Sequence, residues 1–144
     1  MTIVRSSLIA CALAVGAFAS TTSAVAQSEV ATVNIPFAFH IDQQVLPAGL
    51  YHIDHESSSL FRLRGPARSG EVLTHPMAAR QLATQGAVVF HRIGGTYFLG
   101  GLWSPGAKDG MECFQTRAEK EMLKESHQQV PSLTTVAFNA TPTR

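Results

Sequence analysis

Residues 87–103 read AVVFHRI-GG-TYFLGGLW, and this stretch decides the fold class. Two runs rich in β-branched and aromatic side chains flank Gly94-Gly95, a dipeptide that suits the positive φ angles of a tight primed turn. The predicted cross-strand pairs are Phe90 with Leu99, His91 with Phe98, and Arg92 with Tyr97. The sequence therefore predicts a β-hairpin and, with it, a mainly antiparallel β domain.

The predicted hairpin is apolar on both faces. One face carries Phe90, Leu99 and Trp103, and the other carries Val89, Phe98 and Leu102. Gly100-Gly101 in the second strand predicts a bulge or a sharp bend. Because an antiparallel pair usually leaves one face polar, both faces of this hairpin need a cover: a helix, a second sheet or another subunit.

More strands are predicted on the N-terminal side of the hairpin. Ala31 to Ile41 alternates between apolar and polar residues, which is typical of a strand with one buried face, and Pro36 predicts an edge position or a bulge. The apolar face of this strand consists of Val33, Ile35, Phe37, Phe39 and Ile41. Further strands are predicted over Leu50–His55, after the turn Leu46-Pro47-Ala48-Gly49, over Leu60–Arg64, and as a possible fourth over Glu71–Thr74.

The C-terminal side is predicted to hold one helix and a tail. Thr116 and Glu119 have the spacing of a capping box, and good helix formers continue from Arg117 to about His127. Residues 129–144 are interpreted as a loose polar tail, with a strand over Leu133–Phe138 as the alternative. Residues 27–128 are thus expected to form one small antiparallel sandwich or partly open barrel of about six strands with one C-terminal helix.

The first 26 residues have the pattern of a cleavable secretory signal peptide. Arg5 precedes an apolar run from Leu8 to Ala19, which is too short to span a membrane, and Ala24-Val25-Ala26 is a small-x-small cleavage pattern. Cleavage after Ala26 predicts an exported protein, periplasmic or secreted, without a transmembrane segment in the mature chain.

The charge and cysteine content narrow the possible partners. Without Arg5, ten Lys and Arg residues balance ten Asp and Glu residues, and the basic residues are scattered, which disfavours a nucleic-acid partner. Cys113 is the lone thiol of the exported chain, so no disulfide within the chain is expected. A buried, inert thiol is the preferred interpretation, and pairing between chains is the alternative.

An ordered set of short motifs carries a resemblance over roughly residues 30–125. The motifs are VNIPFAF at 33–39, LPAGLY at 46–51, VFHR at 89–92, YFL at 97–99 and TRAE at 116–119. The chain resembles a group of short exported bacterial proteins of unknown function that share this layout. The resemblance implies a small β domain followed by a short helix, and it carries over no catalytic or binding residue.

The histidines give one hypothesis for a metal site. If the strand over Ala31–Ile41 pairs with the strand over Leu50–His55, His40 and His52 lie near each other on the polar face, with Asp54 on the same face. A one-residue change of register separates them, so the competing interpretation is that these side chains are simply solvated. No cofactor is predicted, and a divalent metal stays an alternative.

The aromatic hairpin residues give a second hypothesis. Phe90, Tyr97, Leu99 and Trp103 are candidates for a ligand or interface surface, although large aromatic residues in a small domain more often form its core. The expected function is an exported non-enzymatic β module that binds a protein partner, itself or a small apolar ligand. The alternative is a metal-binding protein or metal-dependent enzyme that uses His40, His52 and Asp54.

Overall fold

The computed structural model describes residues 28–78, 84–127 and 130–140, and these form ten strands and one helix. The strands are β1 (Ser28–Ile35), β2 (Phe39–Ile41), β3 (Gln44–Leu46), β4 (Gly49–Ser57), β5 (Leu60–Arg64), β6 (Ser69–Ala78), β7 (Gly86–Ile93), β8 (Thr96–Trp103), β9 (Asp109–Cys113) and β10 (Ser132–Ala140). The helix, α1 (Arg117–Glu125), lies between β9 and β10. The mainly β prediction is confirmed, with ten strands rather than about six. The predicted signal peptide lies outside the described residues.

The strands belong to one sheet with the order β3-β2-β8-β7-β10-β1-β4-β5-β6-β9. Neighbouring strands are antiparallel except β2 and β8, which pair in parallel at His40 and Phe98. Strand β9 also pairs with β8, where Gly101 lies opposite Glu112 and Leu102 opposite Met111. One edge of β8 is therefore shared, since β2 pairs with its first half and β9 with its second.

One apolar core lies against the inner face of this sheet, and aromatic side chains form its centre. The ring of Phe39 contacts those of Phe90 and Tyr51 edge-on, at centroid distances of 5.2 and 5.3 Å. Burial of each such side chain contributes roughly 1.5–3 kcal/mol, so these rings account for much of the stabilisation. Other core residues from the same sheet are Val33, Ile35, Leu46, Ile53, Leu63, Val88, Leu99, Leu102 and Phe138.

The hairpin of β7 and β8 has the predicted register. The observed pairs are Phe90 with Leu99, His91 with Phe98, and Arg92 with Tyr97. Gly94 and Gly95 have φ angles of 57° and 95°, as the predicted primed turn requires. A bulge at Gly100 shifts the register, so Leu102 lies in the core with Phe90 rather than on the opposite face as expected.

The outer face of this hairpin is covered by the chain itself. Helix α1 packs against β7, and the ring of His40 in β2 lies 4.9 Å from the ring of Phe98 in β8. Phe98 and Ile93 on this face are buried. Helix α1 and the side chain of His40 thus supply part of the cover that the sequence predicts.

The first predicted strand is divided at Pro36. Strand β1 ends at Ile35, and β2 begins at Phe39 beside β8, because proline offers no N–H to continue a ladder. Of the two alternatives predicted for this strand, the edge position is wrong for β1, which pairs with both β4 and β10, and the register of β1 with β4 shifts between Glu29 and Ala31 rather than at Pro36. The predicted inward residues Tyr51 and Ile53 of β4 are buried, as expected.

The segment after Pro131 is not a loose tail where the structure describes it. Ser132–Ala140 forms strand β10, the alternative that the sequence had left open, and β10 lies between β7 and β1. Its Phe138 is buried in the core. A Cβ atom at Gly86 would lie 2.2 Å from the Phe138 ring, so the ring packs directly on the glycine of the neighbouring strand.

The capping box at the start of α1 is only half formed. The backbone N–H of Glu119 donates to Oγ1 of Thr116 at 3.1 Å, as predicted. The Glu119 carboxylate, expected to accept from the backbone at the helix start, instead bonds His91 of β7. Within the residues that the structure describes, no helix has the length and apolar character needed to cross a membrane.

Candidate functional site

The structure separates the histidines of the predicted metal site. His40 lies in β2 opposite Val45 and Phe98, whereas His52 lies in β4 opposite Thr32 and Arg64. The break at Pro36 sends the second half of the expected strand to β8 instead of β4, so His40 and His52 are not neighbours.

The third residue of that hypothesis, Asp54, is buried and bonded to arginine. Both of its carboxylate oxygens accept from Arg64 of β5, from Nε to Oδ2 and from Nη2 to Oδ1. A bidentate ion pair of this kind satisfies both carboxylate oxygens and offsets the free-energy cost of burying the charge. Asp54 therefore has a structural role in the pairing of β4 with β5.

The four aromatic and apolar candidates of the hairpin lie mostly in the core. Phe90 and Leu99 are buried there. Tyr97 packs against the core with its ring stacked on Phe37, 3.9 Å between centroids. Trp103 is half-buried against Gly110, where a Cβ atom would lie 1.4 Å from the indole ring. These residues do not form an open surface together.

A different surface combines polar and apolar side chains. A groove of about 450 Å³ lies on the outer side of the sheet, near the ends of β6 and β9 and the start of β10. It is lined by His75, His91, Glu112, Cys113, Phe114, Gln115, Val130, Pro131 and Leu133. We call these residues the outer groove.

The strand pairings explain why these residues meet. His75 of β6 lies opposite Glu112 of β9, and His91 of β7 lies opposite Leu133 of β10. Between them β8 contributes Gly100, where a Cβ atom would lie 2.7 Å from Nε2 of His91. The missing side chain leaves room for the imidazole ring of His91 and lowers the surface at this point.

The first polar pair at the outer groove joins the sheet to the helix. Nδ1 of His91 lies 2.6 Å from Oε1 of Glu119, and the imidazole N–H donates to the carboxylate. The Glu119 side chain is 2% exposed and His91 is mostly buried, so the pair is shielded from water. A buried carboxylate needs such a partner, and His91 fills that role.

The second polar pair is looser and more exposed. Nε2 of His75 lies 3.4 Å from Oε2 of Glu112, and the Glu112 side chain is 31% exposed. The His75 ring also contacts Phe114, with 4.7 Å between ring centroids. Glu112 thus keeps accepting capacity toward solvent beside an aromatic ring.

The rim of the outer groove is apolar and open to water. Phe114, Val130 and Leu133 are 61%, 74% and 68% exposed, although they belong to separate segments of the chain. Single exposed apolar residues are ordinary on a protein surface, but three that line one depression form a contiguous apolar patch.

Cys113 borders the outer groove, and its side chain is buried in the apolar core and forms no disulfide. Burial raises the pKa of its thiol to about 12, and the carboxylates of Glu112 and Glu119 act in the same direction. A thiol that stays protonated is a poor nucleophile and a poor metal ligand. The outer groove therefore lacks an activated cysteine.

In the described ranges, no group of three or more His, Cys, Asp or Glu side chains is placed to hold a metal ion. A larger depression of about 560 Å³ lies beside Asp42, Arg62 and Glu71. There Arg62 is already bonded to Glu71 and Glu56, which leaves a solvated, charge-paired surface.

Most of the outer groove was missed by reasoning from the sequence. The sequence predicts Glu119 as part of the helix cap, and it does not identify Glu112, Phe114 or Leu133 as site residues. The available signal was alternation: His75 and Glu112 are outward residues of their strands, but their pairing across β6 and β9 joins residues far apart in the chain.

The chain was compared with protein-family models, with curated proteins and with solved structures. No family model, no curated protein and no solved structure matches it.

Proposed function

We propose that this protein is an exported, non-enzymatic β module that binds a small apolar ligand in the outer groove. The observation that carries the proposal is the grouping of Phe114, Val130 and Leu133 around a polar base. Ligand sites generally have a volume of several hundred Å³, mainly apolar walls and a few placed polar groups, and the outer groove has these features.

Two features favour binding over catalysis. The groove holds a hydrogen-bonded pair, His91 with Glu119, and it borders the core thiol of Cys113, whose pKa is raised. Neither provides an activated nucleophile, since a nucleophilic thiol needs a lowered pKa or an adjacent base in hydrogen-bond contact. The polar groups are better suited to orient a ligand than to react with it.

We also infer that the sheet curls into a small, partly open barrel. The pairing of β9 with both β6 and β8 supports this, because it links the two ends of an eight-strand run from β8 through β7, β10, β1, β4, β5 and β6 to β9. Buried side chains such as Phe39 and Phe90 fill the interior. The ligand would accordingly bind on the outside of the sheet.

Sequence patterns support two further parts of the proposal, export of the protein and membership of a protein group. The short apolar run and the Ala24-Val25-Ala26 pattern support removal of residues 1–26 during secretion into the periplasm or beyond. The ordered motifs from VNIPFAF to TRAE support membership of a group of short exported bacterial proteins.

Self-association and a protein partner have less support than a small ligand. A second subunit is expected only where a face of the β7–β8 hairpin lacks a cover, and α1 and the His40 side chain already pack against the outer face within one chain. The exposed apolar residues that remain are grouped in a depression rather than on a flat surface, a shape more typical of ligand sites.

Binding of a solvatochromic apolar dye tests the proposal on the purified exported chain. The double variant Phe114→Ala with Leu133→Ala should weaken dye binding at least about fivefold, because it removes two of three rim contacts. Leu50→Ala is the matched control, since Leu50 is a similarly exposed apolar residue that does not line the groove. Equal dye affinity in the double variant and the wild type would overturn the proposal.

Native mass spectrometry gives an independent measure. The wild-type protein purified from a cell extract should be a monomer with a small molecule bound. The double variant should be a monomer without that bound molecule. A dimer that depends on Phe114 and Leu133 would instead assign the same residues to self-association and contradict the small-ligand proposal.

A further inference from the structure

We propose that the outer groove selects apolar ligands that carry a protonated amine. This inference rests on the proposed function, because it adds a preferred head group to the apolar ligand. Three features support it: the charges at the groove, the free accepting capacity of Glu112 and the position of Phe114.

The formal charge at the groove is negative when the histidines are neutral. Glu112 lines it and Glu119 lies behind it, whereas none of the described lining residues is a lysine or an arginine. A cationic head group is therefore favoured over a neutral one, and an anionic head group is disfavoured.

The two carboxylates differ in what they offer a ligand. Glu119 is buried, and its Oε1 already accepts a hydrogen bond from His91 at 2.6 Å. Glu112 is partly exposed, and its contact with His75 is 3.4 Å long, beyond the usual range for a strong charge-assisted hydrogen bond. A carboxylate has about four accepting positions, so Glu112 has room for an ammonium group from solvent.

The ring of Phe114 adds a second attraction for a cation. It is exposed at the rim, and it contacts the ring of His75, the residue beside Glu112. An aromatic face attracts an ammonium group by about 0.5–1 kcal/mol at an exposed site. An amine held between Glu112 and Phe114 would leave its alkyl chain along Val130 and Leu133.

Three probes of equal chain length test this selectivity: n-octylammonium, n-octanol and n-octanoate, measured by calorimetry below their micelle concentrations. We expect n-octylammonium to bind about fivefold more tightly than n-octanol, and n-octanoate to bind more weakly than either. In Glu112→Gln the preference for the amine should disappear while n-octanol binding is retained.

Glu125→Gln is the matched control, because it removes the same charge from the end of α1 without touching the groove. This variant should keep the fivefold preference. Equal binding of n-octylammonium and n-octanol by the wild type would overturn the inference and leave the apolar site intact. Binding of none of the three probes would overturn the proposed function itself.

Discussion

Glu119 of α1 and His91 of β7 form a buried pair, with Oε1 and Nδ1 2.6 Å apart, which ties the helix to the outer face of the sheet. The two residues are 28 positions apart in the chain. The ring of His91 fits over Gly100, where any side chain would collide with it. Helix α1, the ring of His91 and Gly100 of β8 therefore pack together, and a change in one affects the other two.

The first prediction concerns this pair. His91→Phe should lower the free energy of unfolding by about 3 kcal/mol, because Glu119 is then buried without its partner. The double variant with Glu119→Leu should recover most of that loss, since two apolar side chains replace the pair. Urea unfolding followed by circular dichroism measures both values. A single variant as stable as the wild type would show that the pair does not hold the helix.

A second prediction concerns the contact between Trp103 and Gly110. Gly110→Ala places a methyl group where the indole ring now lies, so the ring must move, and we expect a loss of about 1–3 kcal/mol. The fluorescence of the single tryptophan should shift to longer wavelength as the ring becomes exposed.

The control for this glycine is in the turn of the hairpin. Gly94→Asn should leave stability and fluorescence nearly unchanged, because Gly94 has a φ of 57°, which asparagine tolerates, and no atom lies near its added Cβ. An unshifted emission spectrum in Gly110→Ala would contradict the stacked geometry.

The parts of the fold that were predictable from the sequence depend on short-range rules. Gly94-Gly95 fixed the register of β7 with β8, and the alternation around Tyr51 and Ile53 identified the buried face of β4. In both cases turn chemistry and period-two burial act within a few residues. The helix start at Thr116 is equally local.

The features of the fold that were not predictable depend on pairing between strands that are far apart in the sequence. Thr134, Val136 and Phe138 lie at alternate positions, a spacing typical of one face of a strand. The sequence does not show that this strand, β10, lies between β7 and β1. The expected proximity of His40 and His52 is absent for the same reason, because it depends on local pairing of strands that have other partners. The residues of the outer groove come from four strands, β6, β7, β9 and β10, and from two connecting segments, so no local sequence pattern marks the groove.

The third prediction tests the structural role of β10. Phe138→Ala should cost about 3–5 kcal/mol, because a buried ring packed on Gly86 leaves a cavity when it is removed. Leu133→Ala in the same strand should change stability by less than about 0.5 kcal/mol, since Leu133 is exposed. Equal stability of the two variants in urea unfolding would place β10 outside the folded core.

The last prediction concerns the pH dependence that Cys113 confers. Its thiol pKa rises from 9.0 to about 12 on folding, so the folded chain keeps a proton that the unfolded chain releases. The resulting stabilisation is fully present below pH 9 and is lost as the pH rises from 9 toward 12. Within that window the free energy of unfolding should fall by about 1 kcal/mol per pH unit from this residue.

Cys113→Ala isolates this contribution, because Tyr51, whose pKa is also raised by burial, remains in both proteins. The wild type should lose stability more steeply than the variant above pH 9, and the two curves should run parallel below it. Denaturant unfolding over a pH series, under reducing conditions, measures both slopes. Identical slopes above pH 9 would mean that the thiol is accessible to water, and rapid labelling by an alkylating reagent in the native state should then accompany them.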